Sequence, residues 1–150
     1  MGADGAVQMG ADDAVQTALR LLRHRDRSVA QLVRELEARG VDAMTREQVI
    51  ETLARTGLVD DVRFAERRAA ALALRGGGDA LIRHDLAAAG IDADLVEGAL
   101  ASLEGEHERA ARIVERRGAS PKTARYLAGK GFSYDVAKTA VARAGDETLG

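Results

Sequence analysis

One nine-residue pattern comes round three times, and it constrains the fold more than anything else in the chain. The segments VRELEARGV (33–41), RHDLAAAGI (83–91) and ARYLAGKGF (124–132) align without gaps. Each has a leucine at its fourth position (Leu36, Leu86, Leu127). Each has a glycine near the end (Gly40, Gly90, Gly131) and then an apolar residue (Val41, Ile91, Phe132). A core leucine, a glycine one turn later and an apolar residue just beyond are the signs of a helix ending against a core. A second amphipathic stretch follows each segment, EQVIETLA, DLVEGALA and YDVAKTAV, and a further helical stretch precedes each, at roughly 12–25, 60–74 and 104–117. The period predicts an all-α chain of three tandem three-helix, helix-turn-helix-like repeats. Units this small bury a core only by stacking, which predicts an elongated, curved array. The expected divisions are a mobile tail at 1–11, repeats at 12–58, 59–103 and 104–144, and a C-terminal tail at 145–150.

Helix-end chemistry agrees with this period. Ser28–Gln31 reads as a capping box and Thr45–Gln48 as another. Ser120 precedes Pro121, which suits the first turn because the missing N–H has no partner there anyway. Asp79, Asp92 and Ser133 are further N-cap positions. Gly40, Gly57, Gly90, Gly118 and Gly131 are the expected stops. The glycine run 76–78 inside the middle repeat is the expected point of flexibility, a loose loop rather than a hinge. The octapeptide MGADGAVQ, followed by MGADDAVQ, is small and polar and reads mostly as tail.

Alanine and leucine dominate the apolar content and Trp is absent, which suits close helix–helix packing. The aromatics are Phe64, Phe132, Tyr126 and Tyr134. Phe132 stands in the column of Val41 and Ile91 and reads as core, and Phe64 as packing. Tyr126 stands in the column of Glu35 and Asp85, which predicts an exposed aromatic. Arg34, His84 and Arg125 share the column before it.

Little in the chain looks chemical. Cysteine is absent, so disulfides and thiolate metal sites are excluded. No apolar run approaches the ~20 residues that span a bilayer, and the N-terminus lacks a signal-peptide pattern, so the expected location is the cytoplasm with no membrane contact. His24, His84 and His107 are scattered, and no phosphate-loop, zinc-helix or nucleophile-elbow motif is present. The adjacent carboxylates Asp60 and Asp61 follow a helix-ending Gly57 and precede a helix. They read as end caps that meet the helix dipole. No catalytic residue, cofactor or metal is expected, which leaves a binding surface. Net charge is −2, yet residues 109–143 carry nine Lys or Arg against two acids, whereas 60–103 carry five against eight. The basic third predicts a local contact with a polyanion or an acidic protein.

Three motifs in order, LRLLRHRDRSVAQLVRELEARG, GLVDDVRFA and GFSYDV, make the chain resemble the RecX family of bacterial recombination regulators over roughly 12–144. The resemblance implies a non-enzymatic negative regulator. It would bind the groove of the RecA recombinase filament on single-stranded DNA and inhibit its ATPase, strand exchange and co-protease activities. Recombination and the SOS response would be restrained in consequence. In GLVDDVRFA the family motif falls on Gly57, Leu58, Asp60, Asp61, Arg63, Phe64 and Ala65, mainly as architecture.

The expected partner-binding residues are Arg34, Arg63, Arg67, Arg68, Arg83, Arg125, Tyr126 and Lys130. One departure shifts emphasis to the third repeat. Family members usually carry a basic residue after the glycine before the middle repeat's second helix. Here GGGDALIRHDL leaves only Arg83 and His84. The alternative reading is a helical DNA-binding module whose region 109–143 touches phosphates directly. Weak, non-specific single- or double-stranded DNA binding and a monomeric state are expected.

Overall fold

The structure, a computed structural model, describes residues 10–149; the expected mobile tail falls largely on residues outside that range. Among the described residues there are nine α-helices and no strand. They are α1 (Ala11–His24), α2 (Val29–Ala38), α3 (Ala43–Arg55), α4 (Asp61–Leu74), α5 (Asp79–Ala88), α6 (Ala93–Ala101), α7 (Glu106–Arg117), α8 (Pro121–Gly129) and α9 (Tyr134–Leu149). The chain is all-α, as its repeat pattern predicts. Residues 145–149, expected as a tail, continue α9. Gly145 costs a helix only about 1 kcal/mol, and no proline or capping signal follows it.

Two compact units are present: one runs up to Phe64 and takes in Ala89–Ile91, and the other holds Ala65–Ala88 and Asp92 onward. The core of the first is built from i, i+4 pairs that each put one helix face inward: Ala14 and Ala18 on α1, Leu32 and Leu36 on α2, Val49 and Leu53 on α3. Val41 and Val59 close it. α2 begins with the expected capping box. Ser28 accepts from the Gln31 amide at 3.1 Å, while the Gln31 side chain accepts from the Ser28 amide at 3.1 Å.

α3 starts earlier than expected. Its cap is Asp42, which accepts the Thr45 N–H at 2.8 Å, so Thr45 lies inside the first turn. The Thr45 hydroxyl also donates to Asp42, at 3.2 Å. Asp42 comes directly after the turn at Gly40–Val41, so it takes the first available cap position. The Thr45 amide holds its carboxyl below the ordinary value of 3.8.

In the second unit Leu86 and Leu127, like Leu36 in the first, are wholly buried. Ile82 with Leu86, and Val96 with Leu100, repeat the i, i+4 pairing. Ala110, Ile113, Val114, Leu127, Phe132, Val136, Ala137 and Ala140 form a second core from α7, α8 and α9. Alanines on facing helices let the backbones approach closely, which accounts for so few large side chains filling the interior. Ser120 caps α8 ahead of Pro121, accepting from Thr123 at 3.1 Å, and Ser133 accepts from Val136 at 3.2 Å at the start of α9.

The glycine run is not loose. Gly77 and Gly78 are buried. The Gly77 amide donates to Leu72 O at 2.9 Å and the Gly78 amide to Lys130 O at 2.8 Å. A β-carbon on Gly78 would collide with the Gly131–Phe132 peptide. Glycine stands there because two backbones touch, not because the chain must bend.

Candidate partner-binding surface

Asp60 and Asp61, the most chemical-looking pair in the chain, prove to be end caps for two different helices. Asp60 accepts the Arg63 amide at 3.1 Å at the start of its own α4. Asp61 accepts the Val29 amide at 2.8 Å and so finishes α2. The arrangement recurs in the second unit, where Glu106 at the start of α7 accepts the Asp79 amide of α5 at 2.7 Å. Each contact satisfies a donor that the helix cannot use itself and is worth about 1 kcal/mol. Among the described residues no three of His, Cys, Asp and Glu gather where a metal ion could sit.

Two arginines are used up inside the protein. Arg27 is buried and held by Glu35 at 2.7 and 3.1 Å, by Arg25 O at 3.0 Å and by Leu21 O. Arg109 is also buried and donates to Gly77 O and Glu104 O, both at 2.9 Å, and pairs with Asp79. Arg109 therefore does not belong to the basic surface that its place in the sequence suggests. No buried side-chain nitrogen or oxygen is left unsatisfied among the described residues.

The eight residues expected at a partner surface divide by how their polar groups are engaged. Arg63 donates to the carbonyl of Gly57 at 2.9 Å, so its guanidinium closes the C-terminal end of α3. Arg68 forms a two-pronged pair with Asp85 at 2.8 and 2.9 Å, and Arg83 one with Glu97 at 2.8 and 3.0 Å. These hydrogen bonds raise both arginines above their ordinary value, hold Asp85 below 3.8 and hold Glu97 below 4.5. Arg34 is exposed on α2 in the first unit.

Tyr126 is half-buried rather than exposed. It packs against the core of α7 to α9, and the Arg117 guanidinium covers its ring at 3.6 Å. Its column is a partner position, not a solvent position: Glu35 takes Arg27, Asp85 takes Arg68 and Tyr126 takes Arg117. Arg67, Arg125 and Lys130 remain, all in the second unit. Their side chains make no hydrogen bond or ion pair among the described residues, and their charge is available to a partner.

Sequence reasoning missed the exposed aromatic. Tyr134 is 73% exposed at the start of α9, with the Lys138 ammonium 5.9 Å from its ring. It stands at one end of a groove of about 320 Å³ between α8 and α9. Ala124, Ala128, Ala137, Val141 and Ala142 line this groove, and Arg125 and Lys138 flank it. The signal was present as the i, i+4, i+7, i+8 series Tyr134, Lys138, Val141, Ala142, a second stripe on a helix whose first stripe is core.

Two family profiles match this fold, "RecX, first three-helix domain" over residues 14–53 and "RecX, second three-helix domain" over 60–100. The chain belongs to the RecX family. The regulatory protein RecX of Xanthomonas campestris pv. campestris (strain B100) is 40% identical over 104 residues, which cover 69% of this chain and 64% of that one. The chain thus spans just under two thirds of that relative's length. The regulatory protein RecX of Chromohalobacter salexigens is 34% identical over 143 residues, covering 87% of this chain and 92% of the relative. A crystal structure of RecX from Lactobacillus salivarius superposes with a TM-score of 0.78 at 21% identity, over 90% of this chain and 96% of that one. That likeness speaks to the fold. The RecX relatives are named as regulatory proteins and not as enzymes. No helix among the described residues is long and apolar enough to cross a membrane.

Proposed function

We propose that the chain is a non-enzymatic negative regulator of RecA. It binds in the groove of the RecA filament on single-stranded DNA and lowers ATPase, strand-exchange and co-protease activity, which restrains recombination and the SOS response. Membership of the RecX family carries this reading. The chemistry of the surface supports it. Asp60 and Asp61 are engaged as helix caps, while Arg67, Arg125 and Lys130 are cations whose side chains have no polar partner among the described residues. A filament that displays phosphates and acidic side chains is a fitting target for such cations. The cytoplasm, where such filaments assemble, is the matching location.

A direct DNA-binding module is the second reading, favoured by the nine basic residues against two acids in 109–143. One experiment separates the two: titration of the full chain into the cognate recombinase during single-stranded-DNA-dependent ATP hydrolysis. The regulator reading expects inhibition well below one molecule per recombinase subunit, lost in the triple variant Arg67→Ala, Arg125→Ala, Lys130→Ala. No inhibition at any ratio would overturn it. Steeply salt-dependent binding to bare DNA, with a slope near one power of salt per phosphate contact, would then establish the module.

A further inference from the structure

The groove between α8 and α9 is lined mostly by short apolar side chains. Its floor and banks are methyl groups. Ala124 and Ala128 stand one turn apart on α8, opposite Ala137, Val141 and Ala142 on α9. Short side chains on both helices leave a trough that no described residue of this unit fills. An apolar trough facing water is a cost to the free protein and is characteristic of sites that take a partner's side chain. Tyr134, 73% exposed at the mouth, is the type of aromatic that anchors interfaces.

The charge around the trough has one sign. Arg125 flanks it on the α8 side and Lys138 on the α9 side, and among the described residues no acidic one lines it. Residues 121–144 hold five basic side chains (Lys122, Arg125, Lys130, Lys138, Arg143) against the single acid Asp135. An occupant must therefore place something apolar on the floor and negative charge at both edges. A nucleic acid offers the charge, but its phosphates gain nothing from a floor of methyl groups, and one tyrosine is a poor stacking platform for successive bases. A protein segment with a large apolar residue between carboxylates meets both demands.

We infer that the α8–α9 groove is a docking site for an acidic, amphipathic segment of the regulated recombinase, with one large apolar side chain seated on Ala128 and Ala137 and carboxylates paired with Arg125 and Lys138. The inference rests on the recombinase reading above and deepens it by naming the surface and the chemistry of the segment.

The chain contains no cysteine, so Ala128→Cys places a single thiol at an exposed position in the groove for a benzophenone label. The labelled full chain is irradiated with the cognate recombinase on oligo(dT) and a non-hydrolysable ATP analogue, and crosslinked peptides are read by mass spectrometry. The expected product joins the label to a recombinase peptide that carries an apolar residue among carboxylates. A crosslink to the oligonucleotide, or to a neutral or basic peptide, overturns the inference. So does the absence of any crosslink while the labelled chain still inhibits ATP hydrolysis. In parallel, Ala128→Glu, which fills the groove with the wrong charge at an exposed site, is expected to weaken inhibition at least tenfold with an unchanged helical circular-dichroism spectrum. Ala128→Ser is expected to retain inhibition. Full inhibition by Ala128→Glu overturns the groove but leaves the recombinase reading standing. Failure of the unmodified chain to inhibit at all overturns both.

Discussion

Gly76 and Gly131 end α4 and α8 in the same way, yet replacing them with alanine should have very different effects. Both are left-handed, with φ of 87° and 94°. After each, the next residue donates five positions back: Gly77 to Leu72 O at 2.9 Å and Phe132 to Leu127 O at 3.0 Å. A β-carbon at Gly76 would meet Ile113 Cδ1 at 3.7 Å and Lys130 Cε at 3.8 Å, which is ordinary contact. At Gly131 it would strike the Leu81 Cβ and backbone nitrogen, both at 2.6 Å. Gly76→Ala thus carries the left-handed penalty alone, about 1–2 kcal/mol. A stiffer unfolded chain returns about 0.4–1 kcal/mol of that. Gly131→Ala carries the same balance plus overpacking of about 1–3 kcal/mol. A new Leu81 rotamer gives no relief, because one of the atoms struck is backbone.

The two variants should differ by about 1–3 kcal/mol, roughly 5- to 150-fold in the ratio of folded to unfolded protein. Urea unfolding followed by far-ultraviolet circular dichroism measures this from the midpoints, provided the slope stays the same for both variants. Destabilisation equal to within about 0.5 kcal/mol, the usual spread for independent sites, would refute the claim that the first turn of α5 presses on the turn at Gly131.

Two further outcomes are expected. Ser28→Ala removes the cap on the Gln31 amide and the hydroxyl that donates to Ala89 O at 2.6 Å. The loss should be about 2–4 kcal/mol, from a cap at about 1 kcal/mol and a buried carbonyl left unpaired at about 1–3 kcal/mol. A urea midpoint close to that of the wild type would show that neither bond matters. The Arg68 hydrogen bond lowers Asp85 below its ordinary 3.8, so this pair stabilises the fold above that pH and ceases to do so as pH falls through the depressed folded value. With the Arg68 side chain 46% exposed, the contribution is only about 0.5 kcal/mol or less, and salt reduces it further. Asp85→Asn should therefore cost a few tenths of a kcal/mol at neutral pH and nothing in acid. An equal deficit at both pH values would show that the lost stability is not electrostatic.

The helices were legible because each is written in local spacing. Leu36, Leu86 and Leu127 announce their burial by the glycine one turn later, and Ser28 announces a capping box by Gln31 three residues on. The errors fall where long-range contacts decide. Thr45 looked like a cap until Asp42, closer to the preceding turn, took its amide. Gly76–Gly78 looked loose, since nothing nearby in sequence says that the Gly131–Phe132 peptide rests on Gly78. Tyr126 looked exposed because its column holds two acids, but those acids are themselves half-buried under arginines. The same blindness applied to charge. Counting basic residues along 109–143 cannot separate Arg109, which is internal, from Arg125, which is available. The groove beside Arg125 needed two helices to be seen together.

The carboxylate of Asp61 and the carbonyl of Ala89 have a consequence for the order in which the molecule can be made. Both complete the beginning of α2, at Val29 and Ser28, from positions 32 and 61 residues further along the chain. A growing polypeptide that has just left the ribosome as far as Leu58 has its three leading helices but not the groups that close α2. The first part of the protein reaches its final form only after synthesis has passed Ile91. A shortened version cut at the apparent boundary after Leu58 would be left permanently at that unfinished stage.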